Sequence, residues 1–322
     1  MRRFAVVLVL LTCITPTALA DHQMGHEPPP GPAPARFPKD FPVLKDSEWS
    51  FRLGGFGGSL LDDAEWDVHA AKRPERHHPV IFVHGNNVDA ADWYPTRDAF
   101  IAAGWDPDDL WALSYNGLGA QSGAGATPNE RRDQEHLNNP DSDFVARVTN
   151  NDVNVPDVYR FITAVRRYRQ ATRFSIVAHS LGVTLARRVL KLYPHLRRDV
   201  VSFVGIAGGN HGTSLCPPGS EGELYSCDEI AKGTAWLAKL NGPLGSDETY
   251  RPVRWLVIYD GSGYRDVAFM GPDYAQSPVL KGAVNCSLPH DHNDLRGHPA
   301  AINLYRKFVE LAERGTTDRD CR

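Results

Sequence analysis

The stretch from Phe174 to Leu192 constrains the fold more than any other part of the chain. Phe174-Ser-Ile-Val-Ala178 is an apolar run of strand length, and Leu181 to Leu192 repeats apolar residues at helical spacing. Only His179 and Ser180 separate them. A strand that turns at once into a helix needs small residues at the turn, and Ala178 and Gly182 flank Ser180 symmetrically. Such a turn holds its central residue in a strained conformation, with the side chain exposed above the sheet. The common pattern has glycine at both flanking positions. Alanine at 178 keeps the small volume but gives up some backbone freedom.

The rest of the chain alternates in the same way. Val80–Val83, Leu110–Tyr115, Val200–Ile206 and Val253–Tyr259 read as strands. Ala91–Ala103, Val155–Tyr168 and Ala300–Leu311 read as helices, the second with Val158, Phe161, Ile162 and Val165 on one face. This alternation predicts an α/β fold, a mostly parallel central sheet with helices on both faces. Gly54-Gly-Phe-Gly-Gly58 reads as a loop. Two long segments interrupt the alternation: Asn116–Val153, and Gly209–Tyr250 with a helical run at Ile230–Leu240. Both follow the C-terminal ends of strands, the rim at which α/β sheets bind ligands. Loops of such length in a compact domain are usually functional or disordered. The second, about 209–250, is expected to be a cap insertion.

The N-terminus stands apart. Arg2 and Arg3 precede an apolar run from Phe4 to Ile14, followed by Ala18-Leu19-Ala20, the form of a cleavable secretory leader over residues 1–20. The run is short for a membrane span, and no other stretch is long and apolar enough for one. The expectation is a secreted or periplasmic protein. Residues 21–45, centred on Pro28-Pro-Pro-Gly-Pro-Ala-Pro34, form a proline-rich lead-in. The catalytic domain is then expected over 46–322. The formal net charge is −4 with no basic block or stripe, which argues against a nucleic-acid partner. Once the leader and Cys13 are gone, an even set of cysteines remains. In an exported chain this predicts disulfides, with Cys216–Cys227 closing a short loop and Cys286–Cys321 tying the C-terminal tail.

A serine hydroxyl becomes a useful nucleophile only with a base in hydrogen-bond reach, a third group to orient that base, and donors aimed at a developing oxyanion. After a strand–Ser–helix turn, the partners follow in the order acid, then histidine. The base is expected just before the last helix. There His292 is preferred, because His-x-Asp-Leu leads into that helix, and His290 is the second candidate. His298, beside Pro299, reads as a helix-start residue. The acid is expected just past Val253–Tyr259. Asp266 is preferred, and Asp260 is the alternative, or else the turn residue that ends the strand. The oxyanion donors are expected to be the backbone N–H groups of Leu181, at the helix start, and of Asn86, in Val83-His-Gly-Asn-Asn87. No metal or cofactor is expected. His290-Asp-His-Asn-Asp294 imitates a metal-binding run but sits at the wrong end of the chain for the metallohydrolases that use one.

The chain resembles the secreted bacterial lipases of the α/β-hydrolase superfamily, especially the class 2 lipases and the related extracellular polyhydroxyalkanoate depolymerases. The resemblance rests on Phe82-Val-His-Gly85, Ala178-His-Ser-Leu-Gly182, Ala207-Gly-Gly-Asn-His-Gly212, Leu280-Lys-Gly-Ala283 and the His292 loop. Alanine at the first small position is common in those lipases. The likeness covers roughly Pro79 to Glu310. It implies hydrolysis of carboxylic esters through an acyl-enzyme, with an acylglycerol, a short-chain ester or a polyester as substrate. A rival of another class is a non-catalytic binding protein on a hydrolase scaffold. Retention of serine, histidine, acid and oxyanion loop together argues against that rival.

Overall fold

The computed structural model describes residues 56–57, 76–86, 88, 90–113, 115, 151–219, 225–317 and 320–321. The expected leader, the proline-rich lead-in and all but the end of the 116–153 segment lie outside the described residues.

Among the described residues, the sheet has seven strands in the order β1-β3-β2-β4-β5-β6-β7. They are β1 (Phe56–Gly57), β2 (Val80–Val83), β3 (Leu110–Leu113), β4 (Phe174–His179), β5 (Val200–Ile206), β6 (Arg254–Tyr259) and β7 (Val284–Ser287). β1 runs antiparallel to β3, and every other pairing is parallel. The described α-helices are α1 (Tyr94–Ala102), α2 (Asn151–Tyr168), α3 (Leu181–Leu192), α4 (Tyr225–Ile230), α5 (Ala235–Asn241), α6 (Asp294–Gly297) and α7 (Pro299–Glu313). Strands buried on both faces read as continuous apolar runs, and β2, β4 and β5 are buried throughout. Alternate side chains enter opposite layers. Ile81, Val83 and Ile176 pack with Phe161 of α2 and Val189 of α3. Val80, Phe82 and Val177 pack with Phe100 of α1 and Phe308 of α7. Among the described residues, no helix is long and apolar enough to cross a membrane.

The expected α/β architecture is present, with differences at particular elements. Phe56 and Gly57 pair with β3 instead of looping, and glycine at 57 is required because a Cβ there would enter the Trp111 ring. β7 was not expected, since Val-Asn-Cys-Ser carries little apolar signal; as an edge strand it is only partly buried. α2 begins at Asn151 and not at Val155. The Glu229 carboxylate accepts the N–H groups of Asn151 and Asp152, satisfying donors that the first turn of a helix leaves unpaired. The helical run at 230–240 is two helices, because Gly233 takes a positive φ of 90° and Thr234 starts a new helix by accepting from Leu237 N–H.

Both expected disulfides are formed. Cys216–Cys227 lies in the insertion between β5 and β6, and Cys286–Cys321 ties the C-terminal tail to β7. The second spans 35 residues, and closing a loop of that size stabilises a fold by about 2–4 kcal/mol in the chain-entropy view. Replacing Cys286 and Cys321 together by serine is expected to lower stability by that amount in urea unfolding. A change under about 0.5 kcal/mol would show that the tie contributes little beyond local packing.

Candidate active site

Ser180 stands between β4 and α3 with φ 55° and ψ −127°, a conformation that side-chain-bearing residues rarely adopt. Sparsely populated backbone of this kind costs about 1–3 kcal/mol and persists only where the surroundings impose it. Here the Ser180 N–H donates to Ile206 O at 2.8 Å, and Ser180 O accepts from Val183 N–H at 3.0 Å. Gly182 makes the turn possible. A Cβ on it would lie 2.2 Å from the carbonyl oxygen of His84 and 2.6 Å from that of Val83. A Cβ on Gly85 would lie 2.8 Å from Ser180 Cβ. The 84–86 turn after β2 therefore rests directly on the serine, which needs hydrogen in place of a side chain on both sides.

His292 comes from the loop between β7 and α6. Its Nε2 is 2.9 Å from Ser180 Oγ, and its Nδ1 is 2.8 and 3.0 Å from the Asp266 carboxylate oxygens. A carboxylate only accepts, so Nδ1 carries the hydrogen and Nε2 is left to receive the serine proton. Asp266 is fully buried, and its Oδ1 also accepts from Ala268 N–H at 2.9 Å, at the start of a short 3₁₀ turn. The three side chains preferred from the sequence, Ser180, Asp266 and His292, are brought into one hydrogen-bonded line.

The alternative acid is differently engaged. The Asp260 carboxylate accepts from Ser262 Oγ at 2.6 Å and from the N–H groups of Ser262 and Arg265, each at 3.1 Å. Burial pushes this carboxyl up, but the bonds from Ser262, Arg265 and the Asp266 N–H outweigh it and hold it below the usual range. Asp260 thus shapes the loop that presents Asp266. His290 stacks on His298, ring centroids 4.1 Å apart, and Asp291 accepts from the N–H groups of Asn293 and Asp294. The metal-like run therefore sends its side chains to separate partners. His298 caps α7 by accepting from Ala300 N–H.

Leu181 opens α3, where first-turn N–H groups have no intrahelical partner. Asn86 is half-buried in the turn over Ser180, with its side-chain oxygen buried and unpartnered. Two further imidazoles were not singled out from the sequence. His84 is fully buried; its Nδ1–H donates to Gly85 O at 2.7 Å, and its Nε2 accepts from Tyr115 N–H at 3.1 Å. The Tyr115 ring stacks on it at 3.9 Å, and the Tyr115 hydroxyl donates to His84 O. Burial lowers His84 to about 3, with the Arg296 charge adding to it, so it is a neutral brace for the 84–86 turn. His179 is taken up below. The signal for both was present: each histidine lies inside a motif, His179 next to Ser180 and His84 two positions before Asn86. Arg296 of α6 pairs with Asp92 at 2.8 Å, tying the loop that carries His292 to the segment after the 84–86 turn.

The family described as lipase (class 2) matches residues 138–242, a span that holds Ser180 but neither Asp266 nor His292. No curated protein sequence matches the chain. Among solved structures, Aspergillus fumigatus lipase B superposes with a TM-score of 0.53 at 17% identity, over 76% of this chain and 54% of that one. Bacillus licheniformis lipase BlEst2 superposes in its propeptide form with a TM-score of 0.53 at 12% identity, over 80% and 53%. Its mature form gives 0.50 at 12% identity, over 80% and 97%. The matched region spans about half the length of the first two chains. The fold is that of the α/β-hydrolases, and over 138–242 the chain is similar to the class 2 lipases.

The glycine contacts give a test of the turn. Gly182→Ala must push backbone against backbone and is expected to cost about 1–3 kcal/mol or more. Gly205→Ala meets only Val183 Cγ1 at 3.1 Å, a side chain that can yield, and is expected to cost less. Urea midpoints of the two variants in the reverse order would contradict this account of the turn.

Proposed function

We propose that the protein hydrolyses carboxylic esters through an acyl-enzyme formed on Ser180. The observation that carries this reading is the line from Ser180 Oγ through the His292 ring to buried Asp266, at 2.9 and 2.8 Å, with the serine held at positive φ. Ser180 Oγ attacks the ester carbonyl carbon while its proton passes to His292 Nε2. Asp266 holds the ring in the Nδ1–H tautomer and stabilises the imidazolium. The N–H groups of Leu181 and Asn86 are the donors assigned to the oxyanion. His292 then returns the proton to the leaving alcohol. In the second half, His292 takes a proton from water, the hydroxyl oxygen attacks the acyl carbon, and Ser180 leaves as the restored alcohol.

The surroundings support an ester with an apolar part. Leu215, Val267 and Met270 are exposed, and they lie on segments joined by hydrogen bonds: Ser214 N–H to Ala268 O at 2.9 Å and Met270 N–H to Ser214 Oγ at 3.0 Å. These segments adjoin Asp266, so an apolar rim stands beside the reacting groups. The paired cysteines and the leader-like N-terminus support action in an oxidising compartment, outside the cell or in the periplasm. The insertion at about 209–250 is read as a cap whose contacts select among esters.

Ser180→Ala is expected to keep the fold and lower turnover of p-nitrophenyl butyrate by on the order of 10⁴-fold, because the covalent step is lost. Retention within tenfold of the parent rate would sink the reading. Hydrolysis rates for p-nitrophenyl esters of rising chain length, emulsified triglyceride and polyester films then define the substrate class.

The two aspartates are separated by their neighbours. Asp266→Asn is expected to cut turnover by roughly 10³–10⁴-fold with a small change in melting temperature, since it favours the wrong tautomer of His292. Asp260→Asn is expected to act mainly on stability, because an amide oxygen replaces only part of its acceptor set. Side-by-side kinetics showing the larger loss at 260 would move the acid there.

A further inference from the structure

Beside the Ser180–His292–Asp266 line stands an imidazole that the reaction scheme does not use. His179 ends β4, immediately before the serine, and is only 2% exposed. Its Nε2 is 2.8 Å from the main-chain oxygen of His292. A carbonyl oxygen only accepts, so Nε2 carries the hydrogen. Its Nδ1 is buried without a hydrogen-bond partner and faces Gly85, where a Cβ would lie 3.3 Å from it. The two imidazole rings are 4.7 Å apart at an angle of 50°.

The loop that carries His292 is anchored on both sides of that residue. Leu288 N–H donates to Tyr259 O at 2.8 Å, and Asp291 holds the N–H groups of Asn293 and Asp294. His179 supplies the bond at position 292 itself. Pinning a carbonyl oxygen fixes the plane of its peptide group, and with it the direction in which the Cα of His292 projects its ring. The distances from that ring to Ser180 Oγ and to Asp266 follow from this direction.

We propose that His179 is a positioning residue for the base: its Nε2–H holds the main chain of His292, so that the strand ending in the serine also sets where the imidazole stands. The proposal rests on the catalytic reading of Ser180, His292 and Asp266. It assigns His179 one protonation state throughout the cycle. Burial, then the neighbouring His292 and Arg296, hold its ring well below the ordinary histidine range. A neutral ring whose free nitrogen is sealed under Gly85 neither competes for the serine proton nor repels the imidazolium when it forms.

The test compares two substitutions. His179→Phe keeps an aromatic ring and removes the donor. His179→Gln places an amide N–H2 near the position of Nε2. On p-nitrophenyl butyrate, His179→Phe is expected to lower kcat by about 10–100-fold, the effect of misplacing a reacting group by up to an ångström. KM is expected to change by less than about threefold, and His179→Gln to recover kcat to within about fivefold of the parent. In the proton NMR spectrum, the far-downfield signal of the His292 Nδ1–H is expected to weaken or move in the phenylalanine variant and return in the glutamine one. Equal loss in both variants would mean that the ring only fills space, and a phenylalanine variant within twofold of the parent would remove the role. Should that variant not fold, nitrogen-15 spectra of the unsubstituted protein decide: His179 as an Nε2–H neutral ring at pH 7 supports the proposal, and an Nδ1–H ring or an imidazolium overturns it. Full turnover by Ser180→Ala would sink the catalytic reading itself. An inactive Ser180→Ala with an unaffected His179→Phe would sink only the positioning role.

Discussion

At Gly182 the first turn of α3 lies against the main-chain oxygens of Val83 and His84, nearer than any side chain allows. The other features of the site depend on this approach. It brings the end of β2 over the start of α3, sets the 84–86 turn on Ser180, and leaves the serine no relaxed conformation. The strain is held because β4 lies inside the sheet, hydrogen-bonded to β2 on one side and β5 on the other. Ala207, the residue after β5, is also at positive φ, and its N–H reaches across to Ile258 O at 2.8 Å. Adjacent strands thus leave the sheet through strained residues that a neighbouring strand fixes from behind.

Around that contact, burial divides three imidazoles into different roles. His84 and His179 lie under the turn, sealed from water, each with one nitrogen donating to a main-chain carbonyl, Gly85 for the first and His292 for the second. Removing solvent disfavours their charged forms, so both act as neutral hydrogen-bond braces. His292 keeps part of its side chain exposed and faces a buried carboxylate, the setting in which an imidazolium can form and be stabilised. One side-chain type thus occupies two dry settings and one partly wet setting within a single turn region.

The parallel sheet and the serine turn were legible from the sequence because each is written in local pattern, and the three side chains picked from it, Ser180, Asp266 and His292, lie in succession within hydrogen-bond reach of one another. β4 and β5 are continuous apolar runs, and Leu181–Leu192 is helical to the residue. What was not legible depends on distant partners. The start of α2 at Asn151 depends on Glu229, which the chain supplies far downstream. β7 has a four-residue, half-polar sequence and becomes a strand only because β6 offers an edge. Phe56–Gly57 pairs with β3 over the Trp111 ring, where only a residue without a side chain fits. Sequence position favours Asp266 but leaves Asp260 open. The distinction lies in Ser262 and Arg265, whose donors occupy Asp260 and leave Asp266 turned toward His292.

The insertion between β5 and β6 is tied into the elements that bear the site. Buried Arg187 of α3 donates to the side-chain oxygens of Asn210, at 2.9 Å, and Asn241, at 2.8 Å, and Asn241 in turn donates to Asn210 O. Burial lowers this guanidinium to about 10, and it still carries its charge at neutral pH. Its acceptors are neutral amides, so the charge stays attracted to the more distant Glu248 and Asp247. At the other end of the insertion, Thr213 Oγ1 donates to Ala268 O at 2.6 Å, two residues from Asp266. Glu229 holds the start of α2, which packs along α3. The insertion therefore contacts the helix behind Ser180, the loop of Asp266 and the neighbouring helix. A shift of the insertion is thus felt at Ser180, Asp266 and His292 through α3 and the Asp266 loop, and not only in the space above them.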